Sequence, residues 1–300
     1  MTFFEIQSHI EVIEKNTSLY AEKNFDLRTK ALDWIEFDII GEIENLLHKE
    51  IEKDQLIPLK YRVERLKSAL EEVDSNLFQK IQDKIRTKAF TGQQFKNLVR
   101  EYVDFDVNDN KHQEEPGYDN LDVFINGLFP DQTMPEQTKD MEPEMVYYQK
   151  TPVRVVFELV EKSSFSKGDV FFDLGSGLGQ VAILVNLLGG IPAKGIEFEP
   201  AFCKYAIDCA SALNLPDVSF KNVDARKADY STGTVFFMFT PFSGQILQDV
   251  LELLRKESLQ RKIKVITYGP VTAQVALQSW LDRASPKSDH IYKLAVFNGF

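Results

Sequence analysis

The sequence predicts an α/β fold, a doubly wound and mostly parallel seven-stranded sheet preceded by an all-α N-terminal domain. Three observations predict it. Before about residue 105, apolar residues recur at helical spacing and strand patterns are almost absent. After about residue 145, short apolar runs rich in β-forming residues alternate with amphipathic helical stretches. Between them, residues 104–115 are polar and acidic and are followed by Pro116-Gly117, which is typical of a linker.

These boundaries predict a helical domain over 1–105, a linker with one short helix over 106–145, and a second domain over 146–300. The helical domain contains four or five helices, packed antiparallel. One of them runs from near Leu27 to Lys53, and Pro58 opens the next. The region carries no recognisable chemical motif. Its charged faces are interpreted either as solvated helix surface or as a platform for a partner.

The central stretch of the chain is 168–200. The apolar run Val170–Phe172 predicts a strand that ends in Asp173-Leu174-Gly175-Ser176-Gly177-Leu178-Gly179. A helix follows, and a second strand over 193–198 places Glu197 at its carboxyl end. Strand, glycine turn, helix, strand and acid together form half of a nucleotide-binding α/β fold.

The spacing of the glycines indicates which ligand binds. A dinucleotide fingerprint reads G-x-G-x-x-G and leaves a helix N-terminus open to pyrophosphate, whereas this chain reads G-x-G-x-G behind Asp173. A carboxylate at that position repels phosphate and suits a cationic amino group. An acid at the end of the second strand can accept both ribose hydroxyls. The pattern therefore favours S-adenosylmethionine (SAM), which has a positive ammonium and a positive sulfonium.

Asp173–Gln180 and Glu197 resemble motif I and the following acidic motif of the class I SAM-dependent methyltransferases. The residue pattern of this stretch is most similar to that of the nucleosomal histone-lysine methyltransferases that lack a SET domain. That family also carries helices before the catalytic fold. The resemblance covers about 147–240 and implies a methyltransferase that uses SAM, yields S-adenosylhomocysteine (SAH) and needs no metal. The cofactor-binding residues that it implies are Tyr148, Thr151, Asp173, Gly175, Ser176, Gly177, Gln180, Glu197, Asp224, Ala225 and Thr240.

The segment before Pro152 has two interpretations. Tyr148 and Thr151 resemble a segment that folds over the methionyl end of SAM in several methyltransferases. In the other interpretation Thr151 caps a helix that opens at Pro152, and the adjacent tyrosines pack beside it.

The acceptor side is predicted at the end of the apolar run 234–239, which is typical of a central strand. Amine methyltransferases often carry Asn/Asp-Pro-Pro-Tyr/Phe there, and the non-SET family carries Asn-Asn-Phe. This chain departs from both with Thr240-Pro241-Phe242. We expect Tyr148, Thr240 and Phe242 to form the catalytic, acceptor-facing side of the site.

The formal net charge of -11 and the sequence pI of about 5.0 argue against a nucleic-acid substrate, because phosphate contacts need clustered Lys and Arg. No apolar run reaches the length of a membrane span, and the N-terminus does not resemble a signal peptide. The two cysteines are expected to be free thiols, and the four scattered histidines predict no metal site. These features favour a cytoplasmic, bacterial-type enzyme.

The predicted function is SAM-dependent N-methylation of a protein lysine or another amine. A small-molecule N- or O-methyltransferase with the helical domain as a lid is one alternative. A catalytically silent SAM-binding protein is another. The sequence leaves open the acceptor, the general base, the number of methyl groups transferred and the oligomeric state.

Overall fold

The computed structural model describes residues 1–49, 51, 53–87, 90–107, 117–129, 133–288 and 290–299. The chain divides into two compact units. The first consists of Met1–Asp83 and Asn97–Phe105, and the second of Lys84–Lys96 and Asp106–Phe300.

The first unit is helical. Its helices are α1 (Phe3–Lys15), α2 (Phe25–Asp33), α3 (Gly41–His48), most of α4 (Lys53–Arg86) and the end of α5 (Gln93–Arg100). Short 3₁₀ turns at Thr17–Tyr20 and Glu22–Asn24 follow α1, and the π-helical segment Trp34–Ile40 joins α2 to α3. The core is aliphatic and includes Ile10, Ile39, Ile43, Val63 and Leu70, each fully buried.

Two predicted helix bounds in this unit are wrong. The helix expected to reach Lys53 ends at His48, and Pro58 lies inside α4 rather than at its start. Pro58 is in the second turn of α4, where a proline removes one backbone hydrogen bond. The buried side chains of Leu56 and Leu59 hold this turn against the core, which offsets that loss.

The second unit contains the predicted seven-stranded sheet. The strands are β1 (Phe171–Leu174), β2 (Ala193–Glu197), β3 (Val218–Asn222), β4 (Val235–Met238), β5 (Ile263–Thr267), β6 (Leu281–Arg283) and β7 (Ala295–Gly299). Their order in the sheet is β3-β2-β1-β4-β5-β7-β6, with β1 to β5 parallel, β7 antiparallel to β5 and β6 antiparallel to β7. The fold class predicted from the sequence is therefore confirmed.

Helices cover the sheet, so β1 and β4 are buried along their whole length. A helix follows each of β1, β2 and β4 and connects it to the next strand of the same direction, so all five parallel strands end at one edge of the sheet. The helices are α6 (Asn120–Gly127), α7 (Val153–Ser163), α8 (Gln180–Gly189), α9 (Pro200–Ala212), α10 (Gly244–Ser258) and α11 (Val271–Val275).

Asp122 joins α6 to α7. Asp119 caps α6, with its side chain accepting a hydrogen bond from the N–H of Leu121 at 2.9 Å. Thr151 does not cap α7, and that interpretation is wrong, because the N–H of Val153 donates to Asp122 Oδ1 at 2.9 Å instead. Burial raises the pKa of Asp122 to about 6.

Candidate functional site

The carboxyl ends of β1, β2 and β4 border a cavity. Residues 137–149, which we call the strap, form its other wall. The cavity brings together several residues that the sequence singled out. They are Tyr148, Gly175, Gly177, Glu197, Asp224, Ala225, Thr240 and Phe242.

The glycine turn lets two other segments approach the end of β1. Gly175 and Gly177 have φ angles of 74° and 51°, in the left-handed region. A Cβ on Gly175 would lie 2.2 Å from the Cβ of Pro241, and a Cβ on Gly177 would lie 2.2 Å from Tyr148 Cε2. Because neither position carries a side chain, Pro241 can pack against Gly175 and the ring of Tyr148 can pack against Gly177.

Glu197 is buried and fixes the turn. Its Oε2 accepts a hydrogen bond from the N–H of Gly177 at 2.6 Å, and its Oε1 accepts one from the N–H of Glu199 at 2.8 Å. Burial raises the pKa of Glu197, and these backbone N–H groups oppose that rise. Each carboxylate oxygen can accept a further hydrogen bond, so Glu197 keeps acceptor capacity toward the cavity.

Asp173 lies in a second, smaller cavity, the acid cavity, which Tyr148, Thr151, Ser176, Gln180 and Phe239 also line. Burial, and then the nearby charge of Glu197, raise the pKa of Asp173 to about 8. In the described residues no donor reaches its carboxylate.

Two more oxygens of the acid cavity are buried and have no hydrogen-bond partner in the part of the chain that the structure describes. One is Gln180 Oε1 and the other is Ser176 Oγ. The serine oxygen lies against Gly195, where a Cβ would come within 2.5 Å of it. Asp173 and Gln180 therefore present acceptors that need a donor. A cationic group with several N–H donors, such as an ammonium, would satisfy both and would favour the ionised form of Asp173.

Asp224 is engaged by Arg226, which sequence reasoning missed. Arg226 Nη2 donates to Asp224 Oδ2 and to Glu142 Oε1, each at 2.6 Å. The Arg226 guanidinium holds the pKa of Asp224 below its usual range. Asp224 lines the cavity, and through Arg226 it also links the strap residue Glu142 to the end of β3.

Two further acids hold the strap. Glu199 accepts hydrogen bonds from Thr138 Oγ1 at 2.6 Å and from the N–H of Lys139 at 2.9 Å. Glu144 accepts one from the N–H of Ile246 at 2.8 Å, in the first turn of α10. Nothing local in the sequence signals these contacts, because Thr138 lies 61 residues from Glu199.

The three residues predicted for the acceptor side differ in their backbone conformation and burial. Thr240 has a φ of 42°, an uncommon backbone conformation for a β-branched residue. Phe242 is 5% exposed and packs with Ile246, so it contributes to the cavity wall mainly as part of the core. The half-buried ring of Tyr148 lies over Gly177, with its centroid 5.5 Å from that of Phe202.

An aromatic row behind Thr240 was not predicted. Phe239 lines both cavities, its ring centroid is 5.1 Å from that of Tyr268, and Tyr268 is 5.8 Å from Tyr292. Phe239 was visible in the sequence only as the last residue of an apolar run. Tyr292 comes from the segment before β7, and no local pattern places it here.

Within the described ranges, no group of three or more His, Cys, Asp or Glu side chains is arranged to hold a metal ion. No helix among these residues is both long enough and apolar enough to cross a bilayer.

Residues 132–235 match the model of the family described as "Histone methylation protein DOT1". Among solved structures, an RNA methyltransferase from Salinibacter ruber in complex with SAH is 23% identical, with a TM-score of 0.40, over 50% of this chain and 92% of its own. The putative methyltransferase yhhF from Escherichia coli is 14% identical, with a TM-score of 0.41, over 49% of this chain and 86% of its own. No curated protein sequence gives a significant match.

The DOT1 match covers about a third of the chain. It includes the strap, the glycine turn, Glu197 and Asp224, and it ends at the start of β4. Together with the seven-stranded sheet, this match identifies the chain as a SAM-dependent methyltransferase.

Proposed function

We propose that the second unit transfers a methyl group from SAM to an amine nitrogen, with the side chain of a protein lysine as the acceptor. The observation that carries the proposal is the line of acids along one sheet edge. Asp173, Glu197 and Asp224 lie at or just beyond the carboxyl ends of β1, β2 and β3, and each lines one of two adjoining cavities. Because the strand order is β3-β2-β1, the three acids follow one another along the edge in the order of the purine, ribose and methionyl parts of SAM.

Each acid has a distinct part in this proposal. Asp173, with Gln180 beside it, binds the methionyl ammonium, because its carboxylate has no donor from the described residues. Glu197 accepts the ribose hydroxyls with the capacity left after its two backbone bonds. Asp224 and Ala225 border the part of the cavity that would hold the purine edge. When bound, SAM supplies an electrophilic methyl group on a sulfonium.

The chain's own residues would then position the acceptor. A lysine amine has an ordinary pKa of about 10.4 and must lose its proton before it can attack. Phe239 lines both cavities and packs against the buried ring of Tyr268, and this apolar surface would favour the neutral amine. Burial and the charge of Asp173 raise the pKa of Tyr148, so its phenol stays protonated and orients groups rather than accepting a proton.

The experiment is transfer of a labelled methyl group. The purified full chain is incubated with methyl-labelled SAM in three separate reactions. One contains a lysine-rich protein mixture, one total RNA and one a small-molecule extract. We expect label in protein, recovered as methyllysine after acid hydrolysis. Label confined to RNA or to small molecules would overturn the lysine assignment and support the corresponding alternative.

Controls separate chemistry from background. Asp173→Asn and Glu197→Ala should each lower incorporation at least tenfold, whereas Lys167→Met, an exposed change with no described partner, should leave it unchanged. Binding of SAH without transfer to any acceptor would instead favour a silent SAM-binding protein.

A further inference from the structure

A buried cation of the second unit has no counter-charge among the residues that the structure describes. Arg154, in the first turn of α7, is 8% exposed. Its guanidinium makes no hydrogen bond with these residues, and none of their carboxylates lies within 4.0 Å of it. Glu158, one turn further along α7, pairs with Lys162 instead. Burying a charge without a partner costs free energy, so the position is suited to an anionic ligand that would compensate it.

Arg154 lies near the carboxyl end of β5. Lys264 Nζ, near the start of β5, donates to the carbonyl of Ser163 at the end of α7, at 2.6 Å. The 11 residues of α7 and the 5 residues of β5 each span about 16 Å, so the first turn of the helix reaches the far end of the strand. The charge of Arg154 accordingly acts on Tyr268, which follows β5.

This place is separate from the acids proposed to bind the cofactor, which lie at the ends of β1, β2 and β3. Strand β4 lies between β1 and β5 in the sheet. At about 4.8 Å per strand, the end of β5 is about 10 Å along the edge from Asp173. Arg154 does not line the acid cavity that contains Asp173.

Two phenols lie beside Arg154. Tyr268 and Tyr292 have ring centroids 5.8 Å apart, and neither hydroxyl has a hydrogen-bond partner within the described ranges. Burial raises the pKa of Tyr268 to about 12, so its hydroxyl stays protonated and can donate. We call the Arg154 guanidinium and these two hydroxyls the anion cluster.

We propose that the anion cluster binds a carboxylate carried by the methyl acceptor. This inference rests on the proposed function, in which the acceptor amine meets SAM beside Thr240, just after β4. Phe239 connects the two places, because its ring lines both cavities and its centroid is 5.1 Å from that of Tyr268. In a protein acceptor the carboxylate belongs to an Asp or Glu next to the target lysine. One guanidinium matches the single charge and planar shape of a carboxylate, whereas a phosphate brings nearly two charges.

The first test needs no ligand. Arg154→Met keeps an apolar stem and removes a buried charge that has no partner, so the urea midpoint of unfolding should rise. Arg261→Met is the matched control, because Arg261 donates to Glu257 and to the carbonyls of Tyr230 and Gly233. Its midpoint should fall. A fall of the same size in Arg154→Met would show that Arg154 has a structural partner, and would overturn the inference.

The second test measures methyl transfer by the full chain to two libraries of blocked peptides, each peptide with one lysine. One library has glutamate next to the lysine and the other has glutamine. We expect initial rates at low peptide concentration, which report kcat/KM, to be at least tenfold higher with glutamate. Arg154→Met should remove this preference and change the affinity for SAH, measured by calorimetry, less than twofold. Lys167→Met should match the wild type in both measurements.

Free lysine and lysine amide, as further acceptors, distinguish the two sources of a carboxylate. A preference for free lysine without a preference for glutamate would support the anion cluster but assign it to a small-molecule acceptor. Equal wild-type rates within each pair of acceptors would overturn the inference and leave the proposed function standing. So would tenfold weaker SAH binding by Arg154→Met, because the anion would then belong to the cofactor. No transfer by the wild type to any of these lysine acceptors would overturn the proposed function itself.

Discussion

The backbone N–H of Gly177 donates to Glu197 Oε2 at 2.6 Å, which ties the turn after β1 to the end of β2. The second carboxylate oxygen accepts the N–H of Glu199, in the segment that leads into α9. One buried side chain therefore fixes the backbone on both sides of the site. The acid proposed to bind the ribose is also a structural element of the turn.

Glu197→Gln should impair both roles. A glutamine has one acceptor oxygen, so its NH₂ group must face the N–H of either Gly177 or Glu199. A buried N–H left without an acceptor costs about 1–3 kcal/mol of the free energy of unfolding. We expect that loss in urea unfolding, together with at least tenfold weaker SAH binding by calorimetry. Asp208→Asn, on the exposed face of α9, is the control. Unchanged stability and affinity in the glutamine variant would contradict the assignment.

Gly177→Ala should destabilise the protein through its backbone and through Tyr148. The φ of 51° costs an alanine about 1–2 kcal/mol, and the new Cβ would collide with the Tyr148 ring. In a Tyr148→Ala background only the backbone cost remains, so the same change should cost less. Urea unfolding of the two single variants and the double variant measures this coupling. Strict additivity of the two changes would contradict the contact.

Asp173 should make the unliganded protein less stable as the pH rises. Its folded pKa of about 8 lies above its ordinary value of 3.8, so the folded state retains a proton that the unfolded state releases. The free energy of unfolding therefore falls between about pH 4 and pH 8, by up to about 1.4 kcal/mol per pH unit.

Asp173→Asn should flatten that fall. Urea unfolding of both proteins between pH 5 and pH 8 measures the difference in slope, and taking the difference removes the contribution of Asp122, whose pKa is also raised. Parallel curves for the two proteins would show that Asp173 is ionised in the folded state across this range.

Thr240→Gly should lower methyl transfer and slightly raise the free energy of unfolding. Glycine adopts the φ of 42° without the strain that a β-branched residue carries, which raises the free energy of unfolding. Loss of the long hydrogen bond from the Val271 N–H to Thr240 Oγ1, at 3.4 Å, offsets part of that gain, so the net rise should stay below about 1 kcal/mol. Methyl transfer should fall at least tenfold, because the change removes a side chain that faces the cavity. Ser164→Gly relieves a similar φ of 47° at the end of α7 and should raise stability with no effect on transfer. A Thr240→Gly protein with full activity would remove Thr240 from the acceptor side.

The sheet and the glycine turn could be predicted because their signals are local. The run Val170–Phe172, the glycines that follow it and Glu197 lie within about 30 residues and have one structural interpretation. The prediction that Pro58 opens a helix was wrong, although proline is common in the first turn of helices. Here α4 begins five residues earlier, and buried leucines on either side of Pro58 pack this part of the helix against the core.

The hydrogen bonds around the site could not be predicted, because they join distant parts of the chain. Arg226 follows Asp224 by two residues, yet its partner Glu142 lies 84 residues away. Asp122 replaces Thr151 as the cap of α7 from a different helix. In each case the sequence shows only a charged residue in a polar stretch. Its hydrogen-bond partner is determined by which distant segment packs beside it in the folded protein.

In the sequence, the strap comes before all three segments that hold it. Its contacts to Glu199, Arg226 and Ile246 span 61, 84 and 102 residues, so during synthesis on a ribosome each partner is made well after the strap itself. Contacts of such long range form after the local ones, because closing a long loop costs entropy before any contact offsets it. The nascent chain can thus assemble β1, α8 and β2 first, and the wall over the carboxyl edge is completed only when α10 has been made.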